Sequence, residues 1–136
     1  YYGFDDAPLV ALKVLELYSK TTKSLTQLLG EMPKLLATPE IIMSAPDDVK
    51  FRIIDAVRDR LQDQYEVITV DGARAIFEHG WGLVRASNTQ PAITMRFEAH
   101  TRAQLVEYMR RFDALLDDYP QVDRSELHKQ IAAFSA

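Results

Sequence analysis

Hydrophobic residues recur every three or four positions in several stretches of the chain, the spacing that predicts amphipathic helices. The predicted helices cover residues 8–20, 24–30, 46–64, 101–118 and a terminal stretch from residue 123. The first four begin with residues that cap free backbone N–H groups or suit a first turn: Asp5 or Asp6, Ser24, Pro46 with Asp47 and Asp48, and Thr101. The pairing of Thr101 with Gln104 fits a capping box.

Short runs of alternating apolar and polar residues predict strands in the rest of the chain. They cover residues 40–44, 65–70, 73–78, 81–87 and 92–99. Asp71-Gly72 and His79-Gly80 predict tight turns between consecutive strands. In the last strand the odd positions 93–99 are apolar and should face a core, with the even positions on the other face. The predicted fold class is α+β, an antiparallel sheet of about four main strands with helices packed on one face.

Residues 33–39 contain two prolines and predict an extended connection between two parts of the chain. We therefore expect an N-terminal segment, residues 1–32, and a main domain, residues 40–136. The first helix is apolar around most of its surface, with only Lys13 and Glu16 clearly polar, so it should be covered on more than one side. The chain also begins with Tyr1 instead of Met, which predicts a piece of a longer protein whose partner domain is missing.

Composition narrows the possible functions without identifying one. The chain has 136 residues, a formal net charge of −4 and 47% hydrophobic residues, which is typical of a soluble globular domain. The acidic balance disfavours general binding to nucleic acid or anionic membranes, both of which require a basic surface. The absence of cysteine excludes disulfide frameworks and thiolate metal sites. The three histidines have no metal-ligand spacing, so we expect no histidine site.

The most unusual local sequence follows the predicted strand 81–87. Arg85 lies at the strand end, and Ser87, Asn88 and Thr89 form a tight loop closed by Pro91. A guanidinium, two hydroxyls, an amide and the loop N–H groups together can surround a phosphate. Ser, Asn and Thr are also ordinary turn residues, and a strand-end arginine is often only a solvated charge. Residue chemistry alone leaves both interpretations open.

Two neighbouring residues have similar alternatives. Trp81 lies between two glycines and can serve either as a platform for a sugar ring or as core packing beside a close backbone approach, and the second is favoured. Arg96, on the polar side of its strand, either adds positive potential near the loop or pairs with Glu98, and pairing is favoured.

Residues 80–91, Gly-Trp-Gly-Leu-Val-Arg-Ala-Ser-Asn-Thr-Gln-Pro, resemble the C-terminal domain of the α-D-phosphohexomutase superfamily. The Asp71-Gly72 turn and the Met-Arg-Phe-Glu-Ala run at 95–99 fit the same domain. The Arg-Ala-Ser-Asn-Thr loop is similar to the bacterial phosphomannomutase/phosphoglucomutase branch, whereas phosphoglucosamine mutases and many phosphoglucomutases carry Ser-Gly-Thr there. Residues 2–7 resemble the segment that opens the last helical region of the preceding domain. The resemblance spans nearly the whole chain and is weakest after Pro120.

The resemblance implies a four-domain cytoplasmic enzyme that interconverts hexose 1-phosphate and hexose 6-phosphate. In such enzymes a phosphoserine donates the phosphoryl group, Mg²⁺ assists, and a hexose 1,6-bisphosphate is the intermediate. The C-terminal domain, similar in shape to the TATA-binding protein, binds the phosphate that is not transferred. By resemblance, Arg85, Ser87, Asn88 and Thr89 are the phosphate-binding residues.

The other motifs of the superfamily have no counterpart in these residues, and this limits what the chain should do by itself. The phosphoserine loop, the metal loop and the sugar-reading loop are absent, so Asp5 and Asp6 are interpreted as helix caps, not as Mg²⁺ ligands. We expect the chain alone to be inactive and its partners to be a mannose or glucose phosphate and the missing N-terminal domains. Residues 33–39 would then form a hinge. The alternative is a non-catalytic α+β protein-interaction domain with an incidental anion-binding loop.

Overall fold

The computed structural model describes residues 6–32 and 34–135. The chain divides into two compact units, Tyr1–Lys34 and Leu35–Ala136. None of the helices in the described ranges is long and apolar enough to cross a membrane.

The first unit contains α1 (Ala7–Ser19) and α2 (Leu25–Gly30). Asp6 caps α1, since its carboxylate accepts a hydrogen bond from the N–H of Leu9 at 2.9 Å. The predicted cap is therefore confirmed for Asp6, and Asp5 lies outside the described residues. Neither helix has a buried residue, and the apolar side chains of α1 are exposed, Leu12 by 63% and Leu17 by 61%.

The second unit is a six-stranded antiparallel sheet with three helices. Its elements are β1 (Leu36–Ala37), β2 (Ile41–Ser44), α3 (Lys50–Gln62), β3 (Glu66–Ile68), β4 (Ala73–Phe77), β5 (Gly80–Ala86), β6 (Ala92–Ala99), α4 (Arg102–Leu115) and α5 (Ser125–Ser135). The strand order is β1-β6-β5-β4-β3, and β2 pairs with the same strand β6 as β1. The predicted α+β class is confirmed, the predicted strand at 40–44 corresponds to β2, and β1 is an additional strand that was not predicted.

One face of the sheet is covered by α3 and α4, and the core lies between these helices and that face of the sheet. The predicted alternation in β6 is confirmed, because Ile93, Met95, Phe97 and Ala99 are all buried. The ring of Phe97 meets that of Phe112 of α4 edge to face, with the ring centroids 5.0 Å apart. Side chains at the intervening positions of β4 and β5 point to the opposite side, which we call the open face.

The third helix starts later than its sequence predicts. Residues 46–49 form a turn, because Val49 has φ −121°, outside the helical range, and α3 begins only at Lys50. The prediction that Asp47 and Asp48 lie in the first turn of the helix is therefore wrong. The carboxylate of Asp47 instead forms an ion pair with the ammonium of Lys50 at 2.6 Å.

Part of the predicted connection 33–39 is hydrogen-bonded to the sheet. Leu36 and Ala37 form β1, the N–H of Thr38 donates to the carbonyl of Phe97 at 3.0 Å, and the N–H of Phe97 donates to the Thr38 hydroxyl at 3.1 Å. Thr38 is consequently buried, with 3% exposure. The chain is thus fixed to β6 from Leu36 onward, and Pro33 lies outside the described residues.

Gly72 has a conformation and a packing position that exclude other residues. Its φ is +77°, and a Cβ there would lie 2.2 Å from the carbonyl oxygen of Val84 on β5. We expect Gly72→Ala to lower the free energy of unfolding by about 2–4 kcal/mol, since left-handed strain and backbone overlap add together. Chemical denaturation measures this change. Gly30→Ala is the control, because a Cβ at Gly30 meets nothing within 4 Å, and equal losses for both variants would contradict the explanation.

Candidate functional site

Arg85 lies near the end of β5 and projects from the open face. This direction follows from the two-residue period of the strand, because its neighbours Val84 and Ala86 are buried against the helices. The guanidinium lines a cleft of about 350 Å³. The other residues around this cleft are Glu40, Asp71, Leu83, Thr94, Met95 and Arg96.

Two carboxylates hold the Arg85 guanidinium. Its Nη1 lies 3.2 Å from Oδ2 of Asp71, and its Nη2 lies 3.4 Å from Oε1 of Glu40. The side chain is 38% exposed, and exposed ion pairs of this kind contribute only about 0–1 kcal/mol. A doubly charged phosphate offers a stronger partner for the same fork of donors. The two acidic residues therefore orient the arginine, and their ion pairs are weak enough for the guanidinium to bind another anion instead.

The loop 87–91 continues directly from β5 and returns the chain to β6. The N–H of Ser87 donates to the carbonyl of Ala92 at 2.9 Å, which closes the loop. The Ser87 hydroxyl accepts hydrogen bonds from the N–H groups of Thr89 at 3.4 Å and Gln90 at 3.2 Å. An accepting hydroxyl still has its own hydrogen to donate. Ser87 thus holds the turn, while Asn88 and Thr89 are exposed.

The four residues predicted from the sequence do not line a single cleft. Asn88 lines a second cleft of about 200 Å³ together with Arg58 and Thr69, whereas Arg85 lines the first. Asp71 borders both clefts. The hydrogen bond of Arg58 to Asp59 raises the pKa of its guanidinium, and the guanidinium is already paired with Asp55 and Asp59.

Several residues around the site were not identified from the sequence. Asp71 reaches Arg85 only because Gly72 brings the β3–β4 turn against β5, a consequence of strand register that the Asp-Gly signal does not specify. Lys50 is buried and donates to the carbonyl of Gln90 at 2.7 Å. The signal in the sequence that indicates a buried Lys50 is its spacing, because it precedes Ile53 by three positions on the buried stripe of α3.

The favoured interpretation of Trp81 as a core residue is wrong. Trp81 is half-buried on the open face, because it alternates with the inward-facing Gly82, and the Cζ atom of Arg74 lies 4.2 Å from its ring centroid. The predicted close backbone approach is confirmed for Gly80, where a Cβ would lie 2.0 Å from the carbonyl oxygen of Glu98.

Arg96 combines both of its predicted roles. Its Nη2 lies 3.4 Å from Oε1 of Glu98, so the favoured pairing is confirmed. The same side chain is 51% exposed and lines the Arg85 cleft. It therefore adds positive charge beside Arg85 while remaining paired.

The described part of the chain, residues 6–32 and 34–135, contains no group of three or more His, Asp or Glu side chains arranged to hold a metal ion. The carboxylate of Asp6 is already engaged in capping α1. These residues do not fit the Mg²⁺ implied by the resemblance, and we assign the ion to none of the residues that the structure describes.

The fold and the loop define a class of protein. An antiparallel sheet covered by helices on one face, with an arginine-led Ser-Asn-Thr loop beyond a central strand, agrees with the resemblance to phosphohexomutase C-terminal domains seen in the sequence. The sequence profile of the family "Phosphoglucomutase/phosphomannomutase, C-terminal domain" matches residues 29–115. The chain belongs to this family, and the resemblance seen in the sequence is confirmed.

Individual relatives agree with the family profile. The chain is 45% identical over 106 residues to a phosphomannomutase/phosphoglucomutase of Pseudomonas putida, covering 77% of this chain and 23% of the relative. It is 34% identical over 125 residues to a phosphoglucomutase of Neisseria gonorrhoeae, covering 90% and 27%. A crystal structure of a phosphoglucomutase/phosphomannomutase family protein from Burkholderia thailandensis matches with a TM-score of 0.66 and 32% identity, covering 87% of this chain and 25% of that one. The chain thus spans about a quarter of the length of these relatives.

Proposed function

We propose that this chain binds the phosphate group of a phosphorylated hexose through Arg85, Ser87, Asn88 and Thr89. One observation carries the proposal: the Arg85 guanidinium opens onto a cleft of the helix-free sheet face, directly before a tight loop of hydroxyl and amide side chains. Its carboxylate partners hold it in position yet are weak enough to be replaced by a phosphate.

In this proposal the domain grips the phosphate that is not transferred in a phosphomannomutase/phosphoglucomutase. The longer enzyme would interconvert hexose 1-phosphate and hexose 6-phosphate of mannose or glucose in the cytoplasm. Because each of the two orientations of the substrate presents a phosphate ester here, at C1 in one and at C6 in the other, a loop that contacts phosphate and ignores the sugar serves both. Binding energy from this remote group would hold the reacting oxygen in place.

The remaining chemistry is assigned to parts of the longer protein outside this chain. These parts would provide the phosphoserine, the Mg²⁺ ligands and the contacts that retain a hexose 1,6-bisphosphate intermediate. Residues 1–32 would be the end of the preceding domain, whose other elements would cover the exposed apolar side chains of α1. The chain alone therefore has no mutase activity in this proposal.

Closure of the active site would occur by rotation about the connection 33–39. Leu36, Ala37 and Thr38 are hydrogen-bonded to β6, so they would move with the second unit. We therefore place the pivot N-terminal to Leu36, in the part of the connection that lies before the sheet.

A titration with inorganic phosphate, followed by amide chemical shifts in NMR spectra, tests the phosphate site. We expect the amides of residues 85–89 to shift first, with weak affinity on the order of millimolar because the rest of the cleft is absent. Glucose 6-phosphate should shift the same amides, and unphosphorylated glucose should not.

The distribution of the shifts decides the result. Shifts that appear elsewhere, with residues 85–89 unchanged, would show that the assignment of the site is wrong. That outcome would favour the alternative of a protein-interaction domain.

A further inference from the structure

A buried lysine contacts the loop 87–91. Lys50, the first residue of α3, is 4% exposed, although lysine is rarely buried in proteins. Its ammonium donates to the carbonyl of Gln90 at 2.7 Å, and it also lies 2.6 Å from Oδ1 of Asp47. The proposed function uses neither this lysine nor Gln90, so the contact needs its own explanation.

Gln90 is the residue on which the hydrogen bonds of the loop converge. Its N–H donates to the Ser87 hydroxyl at 3.2 Å, while its carbonyl accepts from the N–H of Ala92 at 2.8 Å and from Lys50. The next carbonyl, that of Pro91, accepts from the N–H of Ala45 at 3.0 Å. Fixing Gln90 therefore fixes the position of Ser87 and the end of the loop relative to the start of α3.

Stability alone is a poor reason for an ammonium in this place. Removing a charged amine from water carries a desolvation cost, and an apolar side chain of similar length would fill the same space without that cost. What an apolar side chain cannot do is donate hydrogen bonds to a loop carbonyl and a carboxylate at the same time. The benefit of the lysine therefore lies in the conformation of the loop.

We propose that Lys50 is a positioning residue, which holds the loop 87–91 in the conformation that receives a phosphate group. The inference deepens the proposed function and rests on it. Lys50 does not itself contact the ligand in this proposal; it acts through Gln90 and Ser87.

The test replaces Lys50 by methionine, which keeps the length of the side chain and removes its donors. We expect Lys50→Met to raise the Kd for inorganic phosphate about tenfold, because the apparent affinity falls in proportion to the fraction of the loop that is in the binding conformation. Hydrogen exchange of the amides of Asn88, Thr89 and Gln90 should become faster, whereas exchange within β5 and β6 should be unchanged.

Two control variants separate positioning from stability and from charge. Val57→Ala creates a cavity on the same helix, where Val57 is fully buried, so it should destabilise the fold and leave the Kd unchanged. Lys129→Met removes the same charge from a side chain that is 73% exposed on α5. It should leave both the stability of the fold and the Kd unchanged.

The possible outcomes distinguish the inference from the proposed function. A Kd and a loop exchange rate for Lys50→Met equal to those of the parent chain would overturn the inference. If the parent chain shows no phosphate shifts at residues 85–89, the proposed function fails, and the exchange rates alone still decide whether Lys50 fixes the loop. If Lys50→Met does not fold, Asp47→Ala removes the exposed partner of the lysine; faster loop exchange would support the inference, and unchanged exchange would overturn it.

Discussion

Arg85→Ala is expected to abolish phosphate-induced shifts at residues 85–89 while leaving the fold intact. The guanidinium is the only cationic side chain among the four proposed phosphate ligands, and charge-assisted hydrogen bonds of this kind contribute about 1.5–3 kcal/mol, or about 10- to 100-fold in affinity. Because the side chain is 38% exposed and its ion pairs are weak, its removal should change the free energy of unfolding by less than about 1 kcal/mol.

Arg96→Ala is the matched control for this prediction. Arg96 lines the same cleft from the neighbouring strand and is 51% exposed, so its removal changes the net charge equally. We expect it to weaken phosphate binding only slightly, through the loss of local positive potential. Arg85→Lys should retain part of the affinity, since an ammonium keeps the charge but not the planar fork of donors. Equal losses of phosphate affinity for Arg85→Ala and Arg96→Ala would show that binding depends on the general positive potential of the cleft and not on Arg85 in particular.

The strands β2 to β6 and the loop could be predicted from the sequence because their signals are local. The alternation of residues 92–99 determines which side chains face the helices, and the Asp71-Gly72 turn determines where β4 begins. The corresponding alternation in β5 places Arg85 on the open face. For Trp81 the prediction is wrong because the general preference of aromatic residues for cores conflicts with the alternation of β5, and the alternation determines the direction of the side chain.

The surroundings of Arg85 could not be predicted, because they depend on contacts between distant parts of the chain. Glu40 is 45 positions from Arg85, and Asp71 is 14 positions away, and only the assembled sheet brings them to the guanidinium. Lys50 meets Gln90 across 40 positions in the same way. The start of α3 was predicted too early because proline and aspartate favour a first helical turn, whereas the backbone of Val49 departs from helical geometry.

Phe112→Ala is expected to cause a large loss of stability in this chain, about 3–5 kcal/mol. The Phe112 ring is fully buried and contacts Phe97, with the two ring centroids 5.0 Å apart, so truncation leaves a cavity between α4 and the sheet. Phe51→Ala is the control, because Phe51 is 51% exposed, and it should cost less than about 1 kcal/mol. Urea denaturation of both variants measures the difference.

A second substitution, at Gly82 of β5, shows whether the stability lost in Phe112→Ala comes from the packing of Phe112 against β5. A Cβ at Gly82 would lie 2.9 Å from Cε2 of Phe112 and 2.8 Å from the Phe97 ring, so Gly82→Ala alone should be destabilising. In the Phe112→Ala background the new methyl group enters the vacated space, and its cost should fall. The two losses should therefore be less than additive in a double-mutant cycle. Strict additivity would show that the Phe112 ring and Gly82 do not share a packing constraint, and that the strand carrying Arg85 is positioned by other contacts.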